Sequence, residues 1–92
     1  MNEIPEFYIK ETGNVYDTEQ FHERIIELIQ KNISGETNET KLCLLITPDG
    51  TVMTADLPHN AYKQSIQKSL EFYIENENYE MCTKIKNIIE QL

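Results

Sequence analysis

Residues 41–56 constrain the fold of this 92-residue chain more than any other stretch. Lys41-Leu42-Cys43-Leu44-Leu45-Ile46-Thr47 is a nearly continuous apolar run of strand length, as expected for a strand covered on both faces. Pro48-Asp49-Gly50 then reads as a tight turn. Pro presets the dihedral at the first corner, and Gly accepts a positive φ at the exit. Thr51-Val52-Met53-Thr54-Ala55-Asp56 returns as the second strand of a β-hairpin.

Helical spacing flanks this hairpin. Phe21, Ile25, Leu28, Ile29 and Asn32/Ile33 recur at intervals that predict an amphipathic helix over 18–33. Asp17 reads as its N-cap, with Gln20 as the capping-box partner. Ser34-Gly35 stops it, and residues 36–40 have loop chemistry. Downstream, Pro58-His59-Asn60 opens a second helix with Asn60 as cap. Its apolar stripe is Tyr62, Ile66, Leu70, Tyr73 and Ile74. Asn76-Glu77-Asn78 interrupts it, and Asn78 caps a third helix striped by Cys82, Ile85, Ile89 and Leu92. So short a link predicts an antiparallel helical hairpin. Upstream, the aromatic stretch 6–10 is a candidate edge strand and Thr12-Gly13-Asn14 a turn. The expected fold is one α+β domain over residues 1–92. It consists of a β-hairpin, joined by a candidate N-terminal strand, packed with three α-helices, the last two as a helical hairpin. A chain this short buries only about two thirds of the surface its unfolded form exposes, so self-association is expected to complete its core.

The residues of reaction chemistry are scarce. A hydrolase needs a nucleophile, a base and an orienting group, and the chain has two histidines. His22, beside Glu23, reads as an exposed imidazole on the polar side of the first helix; His59 reads as a turn residue at a helix entry. Cys43 and Cys82 lie in apolar patterns and read as reduced, buried thiols. Zinc and calcium ligand spacings are absent, and the glycines are isolated, so no metal, no cofactor and no catalytic residue is expected. The first residues are acidic and lack an apolar signal region, and no apolar run approaches the about 20 residues of a membrane span. A cytoplasmic protein without membrane contact is expected.

Charge is the remaining signal. Sixteen acids face eight bases, a formal charge of −8. Residues 1–40 hold nine of the acids and three of the bases (Lys10, Arg24 and Lys31). Such a field repels nucleic acid and acidic membranes and attracts basic surfaces. Glu19, Glu23 and Glu27 fall at i, i+4 and i+8, one row on the first helix with steps of about 6 Å. Glu71 and Glu75 repeat the spacing on the second. Like-charged i, i+4 pairs destabilise a helix, and Lys31 relieves only the Glu27 end. A solubilising surface mixes signs, whereas B-DNA carries one negative charge per about 1.7 Å of axis. Glu11, Asp17, Glu19, Glu23, Glu27, Glu36, Glu39, Glu71 and Glu75 are therefore the candidate phosphate-mimicking contacts to a basic DNA-binding protein. A single row of about 12 Å is too short for a groove that holds a duplex turn of about 34 Å. A homodimer is expected, joined through strand 41–47 or through Tyr62, Ile66 and Tyr73.

The whole chain, from Met1-Asn2-Glu3-Ile4-Pro5-Glu6-Phe7-Tyr8 to Ile88-Ile89-Glu90-Gln91-Leu92, resembles the small acidic anti-restriction proteins of T-even-type bacteriophages. The resemblance implies a dimeric DNA mimic made early in infection and acting in the bacterial host cytoplasm. It further implies inhibition of a McrBC-type restriction endonuclease and binding to the nucleoid protein H-NS. Residues 70–86 are also similar to the UVR helical hairpin of excision-repair proteins, with Cys82 where alanine is usual and Lys86 where arginine is usual. That likeness implies the alternative function, a protein–protein adaptor working through residues 60–92. Tyr62, Tyr73 and Tyr79 motivate a third reading, a small-molecule site, but their helical spacing favours packing.

Overall fold

Gly50, at φ 89°, closes the turn of the expected hairpin, its amide donating to the Thr47 carbonyl at 2.9 Å. The Asp49 carboxylate accepts from the Thr51 amide at 3.1 Å and from the Thr47 hydroxyl. These bonds hold its carboxyl below the usual range, the Thr47 hydroxyl contributing most. The computed structural model describes residues 4–11 and 14–92. Its strands are β1 (Glu6–Tyr8), β2 (Lys41–Ile46) and β3 (Val52–Asp56), in the order β1-β2-β3. β2 pairs antiparallel with β3, with a register shift between Lys41 and Cys43. That irregularity accounts for two successive side chains, Leu42 and Cys43, both being buried.

The candidate N-terminal strand forms, and it runs parallel to β2, with Phe7 opposite Leu45. A parallel neighbour requires a crossover, which α1 (Glu19–Ile33) supplies. β2 is therefore the central strand, but it is not equally covered on both faces. Cys43 and Leu45 are buried, whereas Leu44 and Ile46 are half-buried. α2 (Tyr62–Glu75) and α3 (Tyr79–Glu90) form the helical hairpin. Its turn ends α2 with Glu77 in the left-handed region at φ 57°, and the Asn78 amide reaches back to the Tyr73 carbonyl at 2.9 Å. Asn78 caps α3 as expected, accepting from the Met81 amide at 3.3 Å. The fold is α+β, one hydrophobic core joining Phe21, Ile25, Ile29, Cys43, Leu45, Ile66, Tyr73, Cys82 and Ile85. Both cysteines are free and buried, and burial pushes the Cys43 thiol upward.

Several local expectations are corrected. Asp17 does not cap α1: it ends a single 3-10 turn, Val15–Asp17, which the Asn14 side chain caps by accepting from the Tyr16 amide at 2.9 Å. The α1 cap is Thr18, whose hydroxyl donates to the Val15 carbonyl instead of accepting from the helix. Asn60 lies inside a second 3-10 turn, His59–Ala61, and α2 starts after it without a side-chain cap. Ile74 is exposed, one step beyond the buried arc of α2. Residues 12 and 13 of the expected turn lie outside the described residues. Among the described residues no helix is long and apolar enough to cross a membrane.

Candidate partner-binding surface

Most of α1 is inside the protein. Phe21, His22, Arg24, Ile25, Ile26, Leu28 and Ile29 are buried, and Glu19, Gln20, Glu23, Glu27 and the terminal Ile33 are exposed. The acidic row thus makes up most of the exposed face over the first nine residues of this helix, and Lys31 and Ile33 reach solvent at its end. Its base is withdrawn: the Arg24 guanidinium turns inward and donates from Nε to the Leu42 carbonyl at 2.6 Å and from Nη2 to the Lys41 carbonyl at 3.1 Å. Sequence reasoning missed this, although Phe21-Arg24-Ile25-Leu28 puts Arg24 on apolar spacing.

The row is shorter than expected. Glu27 Oε1 accepts from Arg24 Nη1 at 3.0 Å and from Lys31 Nζ at 3.4 Å, so its charge is compensated twice. Glu19 and Glu23 remain as the uncompensated carboxylates of α1; among the described residues, the ion pairs are the two on Glu27. Glu39 is also corrected. The residue is half-buried, and its carboxylate, at the surface, accepts from the Thr40 and Lys41 amides at 3.1 and 3.0 Å, a strand-entry cap. The Lys41 amide above all holds its carboxyl below the usual range. Glu36 borders a groove with Glu27, Lys31 and Ile88, and Glu11 is exposed in the bend after β1.

Asp17, Glu71 and Glu75 come together elsewhere. With Asp56, which sequence reasoning did not select, they rim a cleft of about 680 Å³ between the 3-10 turn before α1, the end of β3, and α2. Tyr16, Phe21, His22 and Phe72 line it, and Lys68 is the basic side chain present. His22 overturns the expectation of a solvated imidazole: it is 5% exposed and stacks on Phe72 at 4.4 Å and 21°. Its Nε2 donates to the Tyr16 carbonyl at 2.8 Å, which leaves Nδ1 to accept from the Ser69 hydroxyl at 2.8 Å. Burial pulls its pKa down, against the Tyr16 carbonyl and Asp17, so the ring is neutral at neutral pH. The contact is that of a serine–histidine dyad, but Ser69 is fully buried and no substrate reaches its Oγ. His22 was legible too, since His22-Ile25-Ile26-Ile29 has apolar spacing.

Every described acid except Glu39 is exposed. Among the described residues no three His, Cys, Asp or Glu side chains converge as a metal site. The chain is thus a small acidic α+β domain with one short carboxylate row and one carboxylate-rimmed cleft. No protein-family model, curated protein or solved structure matches it.

Proposed function

We propose that this protein is a DNA-mimicking inhibitor that occupies the nucleic-acid groove of a basic DNA-binding protein. The observation that carries this reading is the asymmetry of α1, which exposes Glu19 and Glu23 while burying Arg24. Arg24 turns inward to bond the Leu42 and Lys41 carbonyls, and the result is a pair of like charges left adjacent at i, i+4, which a surface built only for solubility does not favour. The target class is a restriction endonuclease of the McrBC type, as the resemblance to phage anti-restriction proteins implies, with H-NS as a second basic partner. The protein acts in the host cytoplasm as a binder and not as an enzyme. The molecule measures 41 × 31 × 22 Å, close in length to a duplex turn of about 34 Å.

The inhibitor works as a homodimer, but through neither interface expected from the sequence. β2 already has a neighbour on each edge, and Tyr62, Ile66 and Tyr73 are in the core. β3 offers a free outer edge, exposed Val52 and Met53, and no charge from residue 50 to residue 55. Pairing there keeps charges out of the middle of the junction between two −8 chains.

Competition with duplex DNA for a purified target tests the reading. Displacement should weaken as salt rises and the Debye length falls from about 10 Å to about 3 Å. Glu19→Gln with Glu23→Gln should weaken it further, while Glu27→Gln alone changes little. A ternary complex of inhibitor, target and duplex would falsify the proposal. The adaptor alternative predicts binding that is insensitive to salt and carried by apolar side chains. The helical hairpin spends Tyr62, Ile66, Leu70, Tyr73, Cys82 and Ile85 in the core, and its exposed large apolar residues are Ile74 and Tyr79.

A further inference from the structure

The cleft beside His22 is not part of the α1 row, and its chemistry is more selective than a charged surface. Its volume, about 680 Å³, is that of a site for a small organic group. One wall is aromatic: Tyr16 is exposed and Phe72 half-buried, and they offer the ring surface there, while Phe21 and His22 are buried behind them. His22 and Phe72 are stacked, and Phe21 meets both Tyr16 (5.0 Å between centroids, 87°) and His22 (5.9 Å, 88°) edge-on. The rim carries Asp17, Asp56, Glu71 and Glu75 against Lys68, and none of these carboxylates is in an ion pair among the described residues.

We propose that this cleft receives the guanidinium of an arginine side chain presented by the target protein. The proposal rests on reading the chain as a competitor for a basic DNA-binding surface, and it names the group that such a surface contributes. The rim excludes anions, and four carboxylates are too costly to cover with an apolar ligand. Among cations, arginine fits better than lysine. Its planar, weakly hydrated head stacks on aromatic faces while its N–H groups reach carboxylates at the rim. A compact ammonium keeps its hydration and uses the wall poorly. The wall does not oppose a cation, because burial of His22 at 5% exposure favours the neutral imidazole.

Titration of the full chain with acetyl-Gly-Arg-Gly-amide, followed by NMR, tests this. The lysine peptide and the neutral citrulline peptide serve as comparisons. The arginine peptide should bind saturably, in a range on the order of millimolar. It should move the amide signals of Ser65, Lys68 and Phe72 and the ring signals of His22. The lysine peptide should bind more weakly and the citrulline peptide should leave these signals in place. Asp56→Asn combined with Glu71→Gln, both exposed positions, should lower arginine-peptide affinity on the order of tenfold with the remaining spectrum unchanged. Equal binding of the citrulline peptide overturns the proposal, as does clustering of the shifts at Glu19 and Glu23, or no saturable shift at all. The peptide has no DNA-binding fold, so this outcome is independent of the duplex competition that tests the mimic reading.

Discussion

Tyr73 holds the one buried side-chain polar atom without a hydrogen-bond partner among the described residues. Its ring fills the core at 1% exposure, so the hydroxyl has lost water and gained nothing in exchange. Burial pushes its pKa from 10 up to about 12, and Glu19 and Glu23 push in the same direction. Tyr73→Phe should therefore stabilise the protein by about 1 kcal/mol. Urea denaturation at neutral pH with an unchanged m-value is the measurement, and a loss of stability would contradict it. The pH dependence follows in sign. The folded-state pKa is raised, so the contribution is fully present below pH 10 and is lost as pH rises toward 12. Between those values the parent chain should lose stability that Tyr73→Phe retains.

At the scale of elements, Arg24 ties α1 to β2 through the backbone carbonyls of Leu42 and Lys41. Arg24→Leu should cost about 3 kcal/mol, since it removes the donor to the buried Leu42 carbonyl and to the partly buried Lys41 carbonyl. Glu27, exposed on the same helix, contributes only a surface pair, and Glu27→Gln should change stability by less than about 0.5 kcal/mol. Thermal or urea unfolding of the two variants separates a structural guanidinium from an ordinary ion pair. Equal effects would mean that the carbonyl bonds contribute little. The junction shows why the apolar pattern deserved a wider reading: the positions of His22 and Arg24 were in the right periodicity for burial, and only their polarity argued otherwise. Long polar side chains enter a core when backbone acceptors meet them there; for His22 that acceptor is the nearby Tyr16, while for Arg24 the acceptors lie in β2, distant in sequence.

At the scale of the molecule, the acids cost stability locally, and their use lies in association. Repulsion between copies is what a dimer must overcome, which favours the edge of β3, uncharged from Val52 to Ala55 and ending at Asp56. Light scattering at micromolar concentration and moderate salt should give about twice the 10.8 kDa of one chain. Met53→Lys should return it to monomer, because a lysine on an edge strand opposes pairing of that edge. A parent mass near 10.8 kDa would sink the dimer.

The hairpin, the three helices and the sign of the surface were determined by the sequence alone, and for local reasons. Pro48-Asp49-Gly50 carries its own turn chemistry, the apolar periods of 21–29, 62–73 and 82–89 set helical faces without outside help, and net charge is a sum that does not depend on fold. Tertiary structure decided the rest. β1 became a parallel strand only because α1 carries the chain back alongside it. Of the nine candidate acids, Glu27 and Glu39 were taken by nearby cations and backbone amides, while Asp17, Glu71 and Glu75 joined Asp56 around a cleft. Compensation of a charge falls off with distance through space, and spacing along the chain measures that distance only within a single helix.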